Sequence, residues 1–401
     1  MEQHFEKLNK VYLAKLKEVE KYKFKRYIYS ELLKLVKEKR MIALLKGVRG
    51  CGKTTILLQL ANELLERKKK VFYFSADHFI FSSIKLFDFI EFLFENKGYE
   101  YIFIDEIHRY NNWATELKNA FDSFNLFVLA SGSNSAEIAK GKQDLSRRAI
   151  EIPMAVLSLR EYLSIKHKKE LPKVSLQDIV NNFHTLPKKL IYEDLGYYLN
   201  YGALPLFHEY SAETLEKMYV NILRRILDED MLSFNFTSEV LMHARNVLAY
   251  IALNPPGEIS ISSIAEKVGL SKGAVSSLLN ALEDCGVIYQ LKHAKKGKKL
   301  LMLQRKILVA PPFRSILCRE LATQPNIGSL REDFFVTSVQ HLKPKYFMHK
   351  DDPDFKVGKY FFEIGGKSKK IAKHLKKKIL LVKDVSFSLE EIPLFLFGYL
   401  F

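Results

Sequence analysis

Cysteine is scarce: Cys51, Cys285 and Cys318 are the only three in 401 residues, far apart and in no CxxC pair. Three thiols so spaced supply neither a disulfide framework nor a cysteine-rich zinc site, and they point to a reducing, cytoplasmic setting. Long apolar runs are also missing. The segments 84–94 and 392–401 are broken by charge or too short for the ~30 Å of a hydrocarbon core, so no membrane contact by spanning is expected. Residues 1–40 form a lysine-rich amphipathic run without the charged, apolar and small-residue succession of a signal peptide, so secretion is not expected. Apolar residues, by contrast, are plentiful. At 48% of the chain, with 12% aromatic and 27% charged, they exclude chain-wide disorder. The length allows two to four domains of roughly 150 residues or less.

Acidic residues are too few to balance the bases, 46 against 63, which leaves a net charge of +17. The surplus is not spread evenly. Residues 1–40 carry 12 basic and 6 acidic groups, residues 241–310 carry 10 and 4, and residues 311–401 carry 16 and 10, while 41–240 is near neutral. A polyanion such as DNA would therefore meet the two ends of the chain.

The near-neutral stretch opens with an apolar run, Met41 to Lys46, that reads as a short buried strand. Gly47-Val48-Arg49-Gly50-Cys51-Gly52-Lys53-Thr54 follows and fits GxxxxGK[ST], with helical periodicity resuming at Ile56, Leu57, Leu60 and Leu64. A strand, a glycine loop and a helix N-terminus in that order cradle phosphates: the glycines let backbone N–H groups face the anion, and the helix adds its positive end. The loop through Thr55 is thus the expected ATP-binding segment. Lys53 is expected to reach the β and γ phosphates, and Thr54 to ligate Mg²⁺.

A second strand, Tyr101 to Ile104, ends in Asp105-Glu106. Asp105 is expected to hold the Mg²⁺ shell. Glu106 stands one residue on, where a carboxylate can polarise water for in-line attack, which favours hydrolysis over binding alone. A third strand, Leu126 to Ala130, ends in Ser131-Gly132-Ser133-Asn134, and the Ser131 hydroxyl is a candidate for sensing phosphate or orienting water.

These motifs, together with Trp113, Leu145-Ser146-Arg147-Arg148 and Leu157-Ser158-Leu159-Arg160-Glu161-Tyr162-Leu163, resemble a family of archaeal and bacterial AAA+ ATPases with a C-terminal winged helix and a restriction-endonuclease-like region of uncharacterised function. The resemblance implies an α/β P-loop fold. In it a parallel sheet carries flanking helices, the strand before the sensor lies between the Walker A and Walker B strands, and a helical lid follows. It also implies an arginine that acts on a neighbouring subunit's nucleotide, hence a homo-oligomer. Arg148 matches that arginine, although Arg147 replaces the family's glycine.

Beyond Pro255-Pro256-Gly257, residues 261–286 read as helix, tight turn, helix. Gly269 permits the turn, Ser271 caps the second helix, and Val275, Leu278, Leu279 and Leu282 form its buried stripe, leaving Lys272, Ser276 and Asn280 outward. Strands at 287–291 and 300–303 would then flank a lysine-rich tip holding Lys295, Lys296, Lys298 and Lys299. This is the pattern of a winged helix-turn-helix, whose second helix enters a major groove while the wing meets phosphate.

The tail reads as an amphipathic helix over 331–342, a strand over 345–349, a hairpin of 355–357 with 360–364, and residues 376–382 leading into a further strand. Asp354 and Glu363 fall on adjacent strands with a spacing similar to the PD-(D/E)xK nucleases, which makes them candidates for a second metal site. The nearest following lysine, Lys367, is four residues on instead of two. The expected division is a basic helical segment 1–40, an ATPase domain 41–156, a lid 157–240, a winged helix 241–310 and a nuclease-like domain 311–401. The expected activity is Mg²⁺-dependent ATP hydrolysis coupled to DNA; the alternatives are a protein-binding signalling switch or an ATP-gated nuclease.

Overall fold

The computed structural model describes the whole chain except residues 39, 134–144, 146, 187–191, 295–304, 348–351, 367, 371–378 and 385–389. Two compact units divide it, Met1–Ala155 and Val156–Phe401. Among the described residues no helix is long and apolar enough to cross a membrane. All three cysteines are free and buried.

The first unit runs α1 (Glu2–Val19), α2 (Tyr29–Leu35), β1 (Met41–Gly47), α3 (Lys53–Glu66), β2 (Val71–Ser75), α4 (Leu86–Glu95), β3 (Tyr101–Asp105), α5 (Trp113–Ser123), β4 (Phe127–Gly132) and β5 (Ala149–Met154). The strands form one sheet in the order β2-β3-β4-β1-β5, with every neighbouring pair parallel. Their near-continuous apolar sequences follow from burial on both faces, as a parallel sheet covered by helices demands. β4 lies between β1 and β3, the arrangement the resemblance implies for a P-loop AAA+ sheet. This order brings the C-terminal ends of β1, β3 and β4 side by side, where ligands of open α/β sheets bind.

The basic N-terminal segment is part of this unit. Leu8, Tyr12, Leu16 and Val19 form a buried stripe at helical spacing on α1, and the lysines between them face outward or sit at its margins. Phe5 stacks on Phe72 of β2 at 5.3 Å, and the Tyr12 hydroxyl donates to the Val71 carbonyl at 3.3 Å.

The second unit begins with α6 (Leu159–Lys166), α7 (Leu176–Asn182), α8 (Tyr192–Tyr197), α9 (Ala212–Asp228) and α10 (Ser238–Leu253). Next come α11 (Ile261–Val268) and α12 (Lys272–Asp284), joined through Gly269 at φ 78°, with the Ser271 hydroxyl accepting from the Ala274 N–H at the start of α12. β6 (Ile288–Leu291) pairs antiparallel with β7 (Lys306–Val309), while the strand expected at 300–303 lies outside the described residues. Ile307, Leu308 and Val309 supply the apolar side chains that this pairing buries.

The tail comprises α13 (Phe313–Glu320), α14 (Ile327–Val339), β8 (Lys345–Tyr346), β9 (Phe355–Val357), β10 (Tyr360–Gly365), β11 (Leu380–Lys383) and β12 (Glu391–Pro393). Asn326 caps α14 through the Ser329 N–H, so this helix starts four residues before the expected 331. It is not amphipathic in its second half, where every residue from Asp333 to Val339 is buried. The five tail strands form a mixed sheet in the order β12-β11-β10-β9-β8. Arg314 and Asp333, both about 1% exposed, tie α13 to α14, and Arg314 Nη1 also donates to the carbonyls of Ile251 and Ala252 in the last turn of α10. The segments before and after residue 310 therefore share one core.

Candidate nucleotide site

Gly50 and Gly52 take φ values of 84° and 98°, in the left-handed region, and these curl the loop between β1 and α3. A side chain at Gly47 would put its Cβ 2.3 Å from the Met154 carbonyl oxygen, so the strand end is as tight as the loop. Val48 and Cys51 are buried beneath the loop, while Arg49, Gly50, Gly52, Thr54 and Thr55 are half-buried around it. Lys53 is 5% exposed, and its Nζ donates to the carbonyls of Gly47 at 2.9 Å and Val48 at 3.3 Å. The chemistry of this donor set suits a polyphosphate: a curled glycine backbone, a helix N-terminus and one buried cation.

Asp105 is the hub of the site. Its Oδ2 accepts from the Thr54 hydroxyl at 2.7 Å and from the Tyr73 hydroxyl at 3.0 Å. Its Oδ1 accepts from the Ser131 hydroxyl and from the Glu106 N–H. Four donors on one buried carboxylate fix its rotamer. The Ser131 hydroxyl is thus spent on Asp105 and does not stand free for phosphate. Ser133 is 2% exposed and its hydroxyl has no hydrogen-bond partner among the described residues; Asn134 lies outside them.

Glu106 adopts φ 49°, ψ 40°, a conformation a non-glycine residue avoids and one that clusters at functional sites. It turns the chain sharply after β3 into the short helical turn Ile107–Arg109. His108 Nδ1 lies 3.5 Å from Glu106 Oε2. Burial lowers the His108 pKa to about 3, helped by the positive charges of Arg109, Lys53 and Arg49, so the ring stays neutral at physiological pH. A cavity of about 260 Å³ opens beside Thr54, Asp105 and Glu106, closed on its far side by Leu8, Val11 and Lys15 of α1.

Two supports escaped sequence reasoning because they come from the N-terminal segment, which reads as a basic tail. Arg26, 7% exposed, donates from Nη1 to the Cys51 carbonyl at 2.6 Å and from Nη2 to the Ala155 carbonyl at 2.9 Å, bracing the loop from behind. Lys15 Nζ donates to the Tyr73 hydroxyl at 3.0 Å.

Arg148 lies just before β5, and its backbone carbonyl accepts from the Ile42 N–H at the start of β1. It is therefore at the sheet edge opposite its own phosphate loop. Its guanidinium makes a bidentate pair with Asp122, Nε to Oδ1 at 2.7 Å and Nη2 to Oδ2 at 2.9 Å.

In the second unit, Lys272 and Asn280 are exposed on α12, but Ser276 is half-buried and Ser277 takes the exposed position beside it. The side-chain oxygen of Asn280 accepts from Gln290 Nε2 and Arg305 Nη1, both at 3.1 Å, which points it at the hairpin. Lys295, Lys296, Lys298 and Lys299 lie outside the described residues. Just before them the chain is tied to β8: Tyr346 N donates to the Lys292 carbonyl, and Ala294 N to the Tyr346 carbonyl at 2.8 Å.

Asp354 and Glu363 do meet, the Asp354 N–H donating to Glu363 Oε2 at 3.1 Å and the Ile364 N–H to Asp354 Oδ2 at 2.8 Å. The lysine that reaches Glu363 is Lys369, at 2.6 Å from Oε1, and Lys367 lies outside the described residues. Its stem fills the space a side chain at Gly365 would need, with Cβ and Cγ 2.4 Å from that position. Among the described residues no group of three or more His, Cys, Asp or Glu side chains is disposed to hold a metal.

Residues 39–163 match a family described as an AAA domain, so the first unit is an AAA-type P-loop module. Residues 192–312 match a domain of unknown function, DUF8612. The chain belongs to the family of the uncharacterized protein MJ1637 of Methanocaldococcus jannaschii, to which it is 31% identical over 319 residues, 74% of this chain and 67% of that protein. An uncharacterized protein of Haemophilus influenzae is 25% identical over 297 residues, 70% of each. Solved structures similar to the chain include AMPPCP-bound DnaA from Aquifex aeolicus, at 15% identity and TM-score 0.33 over 64% of this chain and 86% of that one. The S. cerevisiae Hsp104–ADP complex is at 19% identity and TM-score 0.33, over 64% and 38%.

Proposed function

We propose that this protein is a Mg²⁺-dependent ATPase that couples hydrolysis to action on DNA. The observation that carries the first half is the 2.7 Å hydrogen bond from the Thr54 hydroxyl to Asp105, which joins the phosphate loop to the acidic strand end. Bound ATP supplies the phosphoanhydride to be cleaved, and Mg²⁺ offsets the charge on its phosphates. Backbone N–H groups from Gly50 to Thr55 and the start of α3 bind phosphate oxygens, and Lys53 exchanges its two carbonyl acceptors for them. Thr54 and Asp105 hold the Mg²⁺ shell. Glu106 takes a proton from water, and neutral His108 beside it does not compete as a charged partner. Ser131 acts by holding Asp105 in place.

The DNA half rests on the pair α11–α12 followed by an antiparallel hairpin, and on the positive charge of residues 241–310. Lys272, Lys295, Lys296, Lys298 and Lys299 would contact phosphate. Ser276 and Asn280 would contribute less base reading than their positions alone promise, because one is half-buried and the other bonded to Gln290 and Arg305. Within the second unit we keep the lid at 157–240, the winged helix at 241–310 and the nuclease-like tail at 311–401 as functional segments on a shared core. The tail sheet, antiparallel along β8–β9–β10 and parallel along β10–β11–β12 with Asp354 bonded to Glu363, supports a nuclease-like fold, which serves binding in place of cutting.

One experiment tests both halves: ATP turnover with Mg²⁺, measured with and without duplex DNA across a salt series. Turnover that duplex DNA raises severalfold, with the gain fading as salt rises, is the expected result. Turnover indifferent to DNA favours the protein-binding switch, and no turnover removes the ATPase.

A further inference from the structure

We infer that Lys15 of the N-terminal helix is a positioning residue for the Mg²⁺ site, acting through Tyr73 on Asp105. The inference rests on the ATPase reading above and deepens it, because it names a segment outside the P-loop motifs that sets how the site holds its metal.

The chain of contacts is short and directional. Lys15 Nζ donates to the Tyr73 hydroxyl at 3.0 Å, and that hydroxyl donates to Asp105 Oδ2 at 3.0 Å, the oxygen that also accepts from Thr54. A phenol that accepts from a cation becomes a better donor, so Lys15 strengthens the Tyr73–Asp105 bond beyond what a neutral pair provides. Tyr73 is 1% exposed, so solvent has little access to compete for its hydroxyl. The ammonium also lies 5.1 Å from the centre of the Tyr73 ring, which holds the lysine stem over the site.

Other contacts already hold α1 on the sheet. Tyr12 and Phe5 already dock α1 on β2 through buried apolar contact, whereas Lys15 is only half-buried and lines the cavity that opens onto Thr54, Asp105 and Glu106. A partner that fixes the orientation of a metal-holding group alters metal affinity by tenfold or more when removed. Movement of α1 away from β2 would break the relay, so the position of this helix reads directly into the metal site.

The test measures the Mg²⁺ concentration that half-saturates binding of a non-hydrolysable fluorescent ATP analogue, alongside ATP turnover, in the full-length chain. Tyr73→Phe is expected to raise that concentration about tenfold and Lys15→Met about threefold, with Lys15→Arg close to wild type. The double variant Lys15→Met/Tyr73→Phe is expected to match Tyr73→Phe alone, because the lysine acts only through the phenol. Should Tyr73→Phe fold poorly, Lys15→Met against Lys15→Arg still decides. A Mg²⁺ requirement unmoved in Lys15→Met, or effects that add in the double variant, overturns the inference while leaving the ATPase reading intact. A wild-type chain that neither binds the analogue nor turns over ATP removes both.

Discussion

The Thr54 hydroxyl stands 2.7 Å from Oδ2 of Asp105, a contact that joins residues 51 apart in sequence. Although β4 lies between β1 and β3, Thr54 in the first turn of α3 still reaches the acid at the C-terminal end of β3. The serine at the end of β4 and the tyrosine of β2 complete the same cluster. Three of the five strands, plus one helix N-terminus, thereby contribute to a single carboxylate.

Glu106 separates activity from stability. Glu106→Gln keeps the side-chain shape and removes the proton acceptor, so ATP binding should stay within about threefold while turnover falls by 10²–10⁴. Glu106→Gly should lose turnover equally but stabilise the fold by about 1 kcal/mol, since φ 49° strains any residue with a Cβ. Lys53→Ala should lose binding as well, because it removes the one buried cation of the loop. Nucleotide titration and urea melts of the three variants check this; a Glu106→Gln chain with wild-type turnover would dismiss the carboxylate as base.

Much of this site was legible because its parts are consecutive in sequence: a glycine loop must precede a helix, and an apolar strand ending in two acids reads as such without a structure. The remainder was hidden by distance. Nothing around Lys15, Arg26 or Tyr73 marks them out, because their roles arise when α1 and the segment after it pack on β2 and behind the loop. The strand at 306–309 that pairs with β6 was hidden for a related reason: pairing register is set by what lies opposite, and Ile288 faces Val309. In the tail, spacing along the chain led to Lys367, while space leads to Lys369.

Arg148 is held by Asp122 of its own chain in a bidentate pair at the surface. If it serves a neighbour's nucleotide, that pair competes with the trans contact. Asp122→Asn should then raise turnover per chain at low concentration, while Arg148→Ala lowers it at every concentration. Mixing Lys53→Ala with Arg148→Ala chains should restore part of the activity, because a mixed boundary pairs an intact pocket with an intact arginine. No recovery at any ratio would leave Arg148 as an ordinary surface ion-pair partner.

Glu63 makes the first unit sensitive to acid. Burial opposes its ionisation, but hydrogen bonds from Lys25, Tyr29 and Arg67 outweigh that and lower its pKa to about 2. A carboxylate with a depressed folded pKa contributes stability above its unfolded value, near 4.5, and loses it as pH falls toward 2. The full shift corresponds to roughly 3 kcal/mol, and solvent around the half-exposed Lys25 and Arg67 reduces this to about 1–2 kcal/mol. Glu63→Gln should remove that much stability at pH 7 and flatten the pH dependence between 4.5 and 2. An unchanged slope in chemical denaturation across that window would show that the contacts cancel.

The second unit turns on a buried ion pair. Arg314 and Asp333 are each about 1% exposed, and each has further partners: Asp333 accepts from the Val309 N–H at 2.9 Å, and Arg314 donates to the Ile251 and Ala252 carbonyls at 2.9 and 2.8 Å. Those two carbonyls belong to the last turn of α10, where no intrahelical donor remains, so the guanidinium closes that helix as well as pairing the acid. Asp333→Asn should cost about 3–5 kcal/mol, because it strands a buried positive charge. Replacing both residues, as Arg314→Met with Asp333→Leu, should recover part of the loss but stay about 1–3 kcal/mol below wild type, since the Ile251 carbonyl loses its guanidinium donor and the Ala252 carbonyl keeps only the weak Cys318 thiol at 3.7 Å. Because the pair joins α10, β7, α13 and α14, residues before and after 310 should unfold in one transition whose midpoint Asp333→Asn shifts as a whole. Urea denaturation of the isolated 156–401 segment would be the wrong test if that segment does not fold alone, so the measurement is made on the full chain with hydrogen exchange reporting each element. Separate exchange onsets for α11–α12 and for α14, differing by more than about 2 kcal/mol in opening free energy, would show that the pair does not couple them.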